Sequence, residues 1–170
     1  MARCARVSGA RAAEPWSLAA AAEIVAAAVD SLDRGPALVV GHSLGGYASL
    51  EFARRTPERS RGLVLAGAGA STSGPWAVPY RWVAGLVPRL SADRLGRFDA
   101  GAMSQVDAPV LVLNGEKDTV FRSGERAFVR AHPRARLELI PRAGHLANFD
   151  DPAAFTAAVR RFARQLPVRP

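Results

Sequence analysis

The stretch Val39-Val40-Gly41-His42-Ser43-Leu44-Gly45-Gly46 decides how this chain is read. It begins in the apolar run Ala37-Leu38-Val39-Val40, which has the length and composition of a strand buried on both faces. It ends in a helical pattern, Leu44 to Thr56, stopped by Pro57. Between the two lies Gly-x-Ser-x-Gly. A strand that turns this sharply into a helix pushes its central residue into strained backbone geometry. Gly41 and Gly45 are expected to leave room for the turn and for close helix packing. Ser43 would then raise its hydroxyl above the sheet, and the N–H of Leu44, at the helix start, would face a developing oxyanion. The pentapeptide by itself is common in loops, and a glycine-rich helix start with an ordinary N-cap serine is the plain alternative. The strand–turn–helix context gives the motif its weight.

Working outward, residues 17–33 predict a helix with Ser17 as N-cap. Leu18, Ala22, Val25, Val29 and Leu32 fall along one face, and Gly35-Pro36 ends it. Leu63-Val64-Leu65, Pro109 to Leu113 and Leu137 to Ile140 are further strand-like runs. Gly124 to Ala131 is helical, stopped by His132-Pro133. Asp151-Pro152 makes an N-cap and first-turn pair for a last amphipathic helix through Phe155, Val159, Phe162 and Leu166. Strands alternating with helices predict an α/β fold, a mainly parallel sheet with helices on both faces. Residues 1–16 show no periodicity and form an irregular segment. Residues 17–69 and 108–166 form the core. Residues 70–107, rich in Gly and Pro, form a short cap or lid insertion.

The composition bounds the function. A chain of 170 residues, 49% hydrophobic and 22% charged, is one globular domain with a real core. A single cysteine, Cys4, excludes an intramolecular disulfide framework and a cysteine-based zinc site. No apolar run approaches about 18 residues, so no membrane span is expected. The net charge of +8 is almost all arginine, since Lys117 is the single lysine. The arginines are scattered from Arg3 to Arg169 with no aromatic-interleaved stripe, which predicts no specific nucleic-acid face and only weak, salt-sensitive adhesion to polyanions. A basic start followed by an Ala-rich stretch suggests a targeting peptide, but Glu14 and Glu23 interrupt it and no small-residue cleavage site closes it. A cytoplasmic location is the expectation.

A serine hydroxyl is a poor nucleophile at neutral pH and needs a base. Of the three histidines, His42 lies inside the elbow, where its ring should point away from Ser43. His132 is expected to cap a helix end in solvent. His145, in Pro141-Arg142-Ala143-Gly144-His145, follows a parallel strand directly and so reaches the same sheet edge as Ser43, which suits a mobile general base. A carboxylate should hold the imidazole tautomer. Asp118, in Asn114-Gly115-Glu116-Lys117-Asp118, is favoured; Glu116 is a rival, as are Asp150 and Asp151, although Asp151 serves better as a helix cap. The order Ser, Asp, His is that of one hydrolase class.

Gly-His-Ser-Leu-Gly-Gly at 41–46, Pro-Val-Leu-Val-Leu-Asn-Gly-Glu-Lys-Asp at 109–118 and Ala-Gly-His at 143–145 together resemble the α/β-hydrolase superfamily. Thr-Pro-Glu-Arg at 56–59, Gly-Leu-Val-Leu at 62–65 and His145-Leu-Ala-Asn-Phe-Asp-Asp-Pro152 resemble it too. The likeness runs from about residue 17 to 166 and is strongest to small bacterial carboxylesterases and acyl hydrolases. It implies Ser43 as nucleophile, Asp118 as acid and His145 as base, with no metal and no organic cofactor. The serine at the elbow speaks against the dehalogenase and epoxide-hydrolase chemistries of this superfamily, which place an aspartate there.

Family members carry more strands before the nucleophile strand, and a loop after one of them, often with a His-Gly pair, supplies a second oxyanion donor. Here 42 residues precede Ser43 and show neither feature. A truncated fold is therefore expected, with Ala37–Val40 exposed along one edge. Losing one oxyanion donor typically costs about 10²–10³ in rate. Trp76, Tyr80 and Trp82, with Leu86 and Val87, would give an apolar wall for a small-molecule ester or acyl substrate, or would merely cover the open end of the sheet. Two functions follow. One is a serine hydrolase working through an acyl-enzyme. The other is a catalytically poor remnant that binds or dimerises through its open edge.

Overall fold

The computed structural model describes residues 17–69, 100–119 and 122–167. The four apolar runs become four strands, β1 (Ala37–His42), β2 (Ser60–Ala66), β3 (Val110–Gly115) and β4 (Ala135–Ile140). They lie in the order β1-β2-β3-β4, and every neighbouring pair is parallel. Parallel neighbours need crossovers. Helix α2 (Leu44–Arg55) carries the chain from β1 to β2, and α4 (Arg122–Arg130) carries it from β3 to β4. Two further helices, α1 (Leu18–Ser31) and the short α3 (Ala100–Ser104), precede β1 and β3. The one-turn helix α5 (Ala147–Asp150) and α6 (Pro152–Gln165) follow β4.

The alternation of side chains along each strand divides the core into two layers. Leu63, Leu65, Val110 and Val112 pack with Leu50, Phe52, Met103 and Phe128 from the helices α2, α3 and α4. Their neighbours Val64, Leu111 and Leu113 pack with Ala158, Phe162 and Leu166 at α6. Both faces of β3 are fully covered, which is why it reads as an unbroken apolar run. Ser17 caps α1 by accepting a hydrogen bond from the Ala20 N–H at 3.1 Å, and Asp151 caps α6 by accepting from Ala154 at 2.9 Å.

Three expectations are corrected. The apolar run of β1 is not buried on both faces: Val40 is 45% exposed, because among the described residues β1 pairs with β2 alone. Among the described residues, β1 therefore stands at the edge of the sheet. Leu32 does not continue the apolar face of α1. It is the C-cap residue, beyond the last helical turn, and is half-exposed. His132 does not cap a helix in solvent. It is buried, donating from Nε2 to the Val106 carbonyl at 2.7 Å and accepting at Nδ1 from the Arg134 N–H at 3.0 Å. Its turn packs over residue 106, whose carbonyl is cut off from water and takes the ring as its donor.

Trp76, Tyr80, Trp82, Leu86 and Val87 lie outside the described residues. Where description resumes, α3 and its exit place Met103 and Val106 in the α2-side core. No helix among the described residues is long and apolar enough to cross a membrane.

Candidate active site

Parallel strands deliver their following loops to one edge, so the residues after β1, β3 and β4 gather at the carboxyl end of the sheet. Ser43 sits in the turn from β1 to α2 with φ 52° and ψ −118°. A non-glycine residue there carries about 1–3 kcal/mol of backbone strain. Backbone hydrogen bonds hold it: the Ser43 N–H donates to Ala66 O at 2.8 Å, and the Gly46 and Tyr47 N–H groups donate to Ser43 O at 2.9 and 3.4 Å. Gly41 is required, because a methyl group there would overlap the Gly45 carbonyl and crowd the Ser49 hydroxyl. Gly45 is not required in the expected way. It is exposed, with open space where a side chain would stand. The close helix packing is made one residue later, by Gly46 against Ala68 and the Gly41 carbonyl.

The structure brings Asp118 and His145 together. The imidazole Nδ1 lies 2.9 Å from Asp118 Oδ2. A carboxylate can only accept, so Nδ1 is the donor of this bond. The acid side chain is 1% exposed and the imidazole 35%, so a buried carboxylate meets a partly accessible ring. The other carboxylates are used elsewhere. Glu116 accepts from the Arg142 N–H at 2.9 Å, Asp150 from the Gly144 N–H at 2.7 Å, and Asp151 caps α6.

These bonds stitch the acid loop to the histidine loop. The Glu116 N–H donates to Ile140 O at 3.0 Å and the Lys117 N–H to Ala143 O at 2.8 Å. Arg142, gripped by Glu116, adopts a positive φ of 60°. The loops approach so closely that any side chain at Gly115 would overlap the carbonyl oxygens of Ala143 and Gly144. Behind them, Asn114 and Glu125 are buried. The Asn114 amide donates to Glu125 at 3.1 Å and to Ala68 O at 3.3 Å, while Arg122 spans Glu125 and the Glu116 carbonyl.

His42 lies against His145. Its ring centroid is 4.8 Å from that of His145, and its Nε2 is 2.8 Å from the His145 carbonyl oxygen. Gly67, with φ 55°, sits beside both rings. Sequence reasoning missed His42, Gly67, Asn114 and Glu125 as supports. The glycine-rich run after β2, Gly67-Ala68-Gly69, was the one local hint.

The chain matches the family model described as the alpha/beta hydrolase fold over residues 5–100, more than half its length. It belongs to the alpha/beta hydrolase family, which places it among hydrolases. It is 29% identical to the protein named "Putative carbamate hydrolase RutD" of Pseudomonas syringae, over 80% of this chain and 71% of that one. It is 26% identical to a pimeloyl-(acyl-carrier protein) methyl ester esterase of Neisseria meningitidis, over 88% of this chain and 77% of that protein. Among solved structures, Rv0554 from Mycobacterium tuberculosis superposes with a TM-score of 0.79 at 22% identity, covering 92% of this chain and 75% of that one.

Proposed function

We propose that this protein is a serine hydrolase that cleaves a carboxylic ester or related acyl substrate through Ser43, His145 and Asp118. The observation that carries the reading is the Nδ1–carboxylate contact of 2.9 Å between an accessible imidazole and a buried acid, at the sheet edge where the strained Ser43 turn also lies. Ser43 Oγ attacks the substrate carbonyl while His145 Nε2 takes its proton. The oxyanion that forms accepts from the N–H of Leu44, at the first position of α2, where no carbonyl one turn upstream competes. The C–O bond to the leaving group breaks, and the imidazolium returns the proton to the departing alkoxide. A water molecule, deprotonated by the same imidazole, then releases the acid and restores Ser43. Asp118 stays ionised throughout and stabilises the imidazolium.

The named activities of two relatives, a carbamate hydrolase and a methyl ester esterase, are both attacks on an acyl carbon bearing a heteroatom leaving group. Trp76, Tyr80 and Trp82 are the proposed apolar wall for the acyl or alcohol group. An alkyl fluorophosphonate probe tests the reading: it should label the protein at Ser43, and Ser43→Ala should abolish the label. A folded, monodisperse wild type that takes no label would overturn it. The half-exposed Val40, on a strand that pairs on one side among the described residues, favours a second reading, pairing of β1 with another copy. A strictly monomeric mass across the micromolar range in light scattering would exclude that.

A further inference from the structure

The histidine within the elbow motif is tied to the loop that carries the base. The His42 Nε2 atom lies 2.8 Å from the backbone oxygen of His145. A carbonyl has no proton to give, so His42 must be the donor, which fixes its neutral tautomer with the proton on Nε2. The two rings meet at 4.8 Å, tilted by 51°. Gly67 closes the third side. A methyl group there would stand 2.9 Å from His145 Cε1, 2.9 Å from His42 Nε2 and 3.1 Å from His145 Nδ1, closer than a methyl group can come without something moving. Its φ of 55° suits glycine as well.

We infer that His42 is a positioning residue for His145, holding the backbone of the base by its Nε2–H bond and one side of the imidazole by its ring, in a slot left open by Gly67. This rests on the proposed Ser43–His145–Asp118 reading. The geometry gives the arrangement a purpose. Asp118 holds the imidazole at Nδ1, and His42 adds a bond to the backbone of the same residue. The His145 carbonyl lies in a loop, with Leu146 beyond it half-exposed. A donor from the residue next to Ser43 ties nucleophile and base to one another through a single side chain, so a movement of one carries the other. Misplacing a reacting group by about 1 Å can cost on the order of 10²-fold in rate.

Two variants separate a hydrogen bond from mere filling of space. His42→Leu removes the donor and keeps an apolar side chain; His42→Gln keeps an N–H able to reach the same carbonyl. With a fluorophosphonate probe, His42→Leu should slow the covalent step at Ser43 by about 10–100-fold, with initial probe binding unchanged, and His42→Gln should recover most of the rate. Gly67→Ala should slow the same step, by pushing on both rings. Equal losses in the Leu and Gln variants, or no loss in His42→Leu, would overturn the inference.

Nuclear magnetic resonance decides it without any activity. In the wild type, nitrogen-15 shifts should show His42 protonated at Nε2, and the downfield proton of His145 Nδ1, identified by its absence in Asp118→Asn, should broaden or shift in His42→Leu. A wild-type His42 protonated at Nδ1 instead would overturn the inference even if every variant failed to fold. A wild type that takes no label at Ser43 while keeping the expected tautomer would sink the hydrolase reading and leave the positioning role standing.

Discussion

The two halves of the sheet hold their site residues in different ways. In the β3–β4 half, the acid and base loops are joined by two backbone hydrogen bonds, the Glu116 clamp on Arg142 and a backbone approach too close for any side chain at Gly115. In the β1 half, the Ser43 turn hangs from a strand that among the described residues pairs on one side, with a half-exposed Val40 beside it. Its strain is held by α2 packing onto β1 and β2 through Gly41 and Gly46. The difference teaches that the imidazole–carboxylate pair is over-determined by its surroundings, whereas the Ser43 turn rests on α2 and one backbone bond to β2.

The largest effect should come from the over-determined half. Asp118→Asn keeps the shape but offers the imidazole an amide, favouring the wrong tautomer. Ester turnover or probe labelling should fall by about 10⁴-fold, with thermal unfolding close to the wild type. If Asp118→Asn is nearly fully active, Asp118 is not the orienting acid.

Next come two glycines that look alike in sequence. Gly115→Ala must push apart loops that cannot separate, and should destabilise the fold by about 2–3 kcal/mol, read as a drop in the urea midpoint. Gly45→Ala enters open space in an α-helix and should lie within about 0.5 kcal/mol of the wild type, on the stabilising side if helix propensity dominates. A Gly115→Ala protein as stable as the wild type would mean that the two loops are not locked.

That pair also shows what could be read from sequence. Strands, order of elements, the strained turn at Ser43 and the meeting of Asp118 with His145 are legible because each is a local pattern: apolar runs of four or five, a Gly-x-Ser-x-Gly between strand and helix, a histidine directly after a strand. Gly45 was given the packing role that Gly46 fills, because the motif shows which residues are small but not which of them faces the sheet. His132 was read as solvent-facing, since nothing in Ala131-His132-Pro133 reports that residue 106 lies over it with a carbonyl to satisfy. The half-exposure of Val40 is invisible in an apolar run; it follows from the neighbour a strand has. The sequence shows His42 inside the elbow with its ring turned from Ser43, yet its partner is 103 positions away in the chain. Local chemistry was legible, and tertiary neighbours were not.

At the open edge the expected effect on stability is smaller. Val40→Lys should alter the urea midpoint by no more than about 0.5 kcal/mol, because the side chain already meets solvent. It should lower any self-association seen by light scattering, since a charge on an edge opposes strand pairing. Strong destabilisation by Val40→Lys would show that this position is covered in solution, and the contrast between the halves would weaken.

The smallest effect concerns acid. Glu51, on α2, is partly buried, which by itself would raise its carboxyl above the usual range. Hydrogen bonds from Arg54 and Arg55, with their positive charge, outweigh that burial and hold it below its ordinary value. A group held low when folded stabilises the fold above its ordinary range, and that contribution is lost as pH falls through the folded value. The wild type should therefore lose stability more steeply than Glu51→Gln as pH falls through and below the ordinary carboxylate range. Both arginines are partly exposed, so the difference at neutral pH should stay below about 1 kcal/mol. Hydrogen exchange should locate the acid loss in α2, the helix that supports the nucleophile turn, before it reaches β3 and β4. Parallel pH profiles for the two proteins, or loss beginning in β3, would show that the crossover is no weaker a support than the stitched loops.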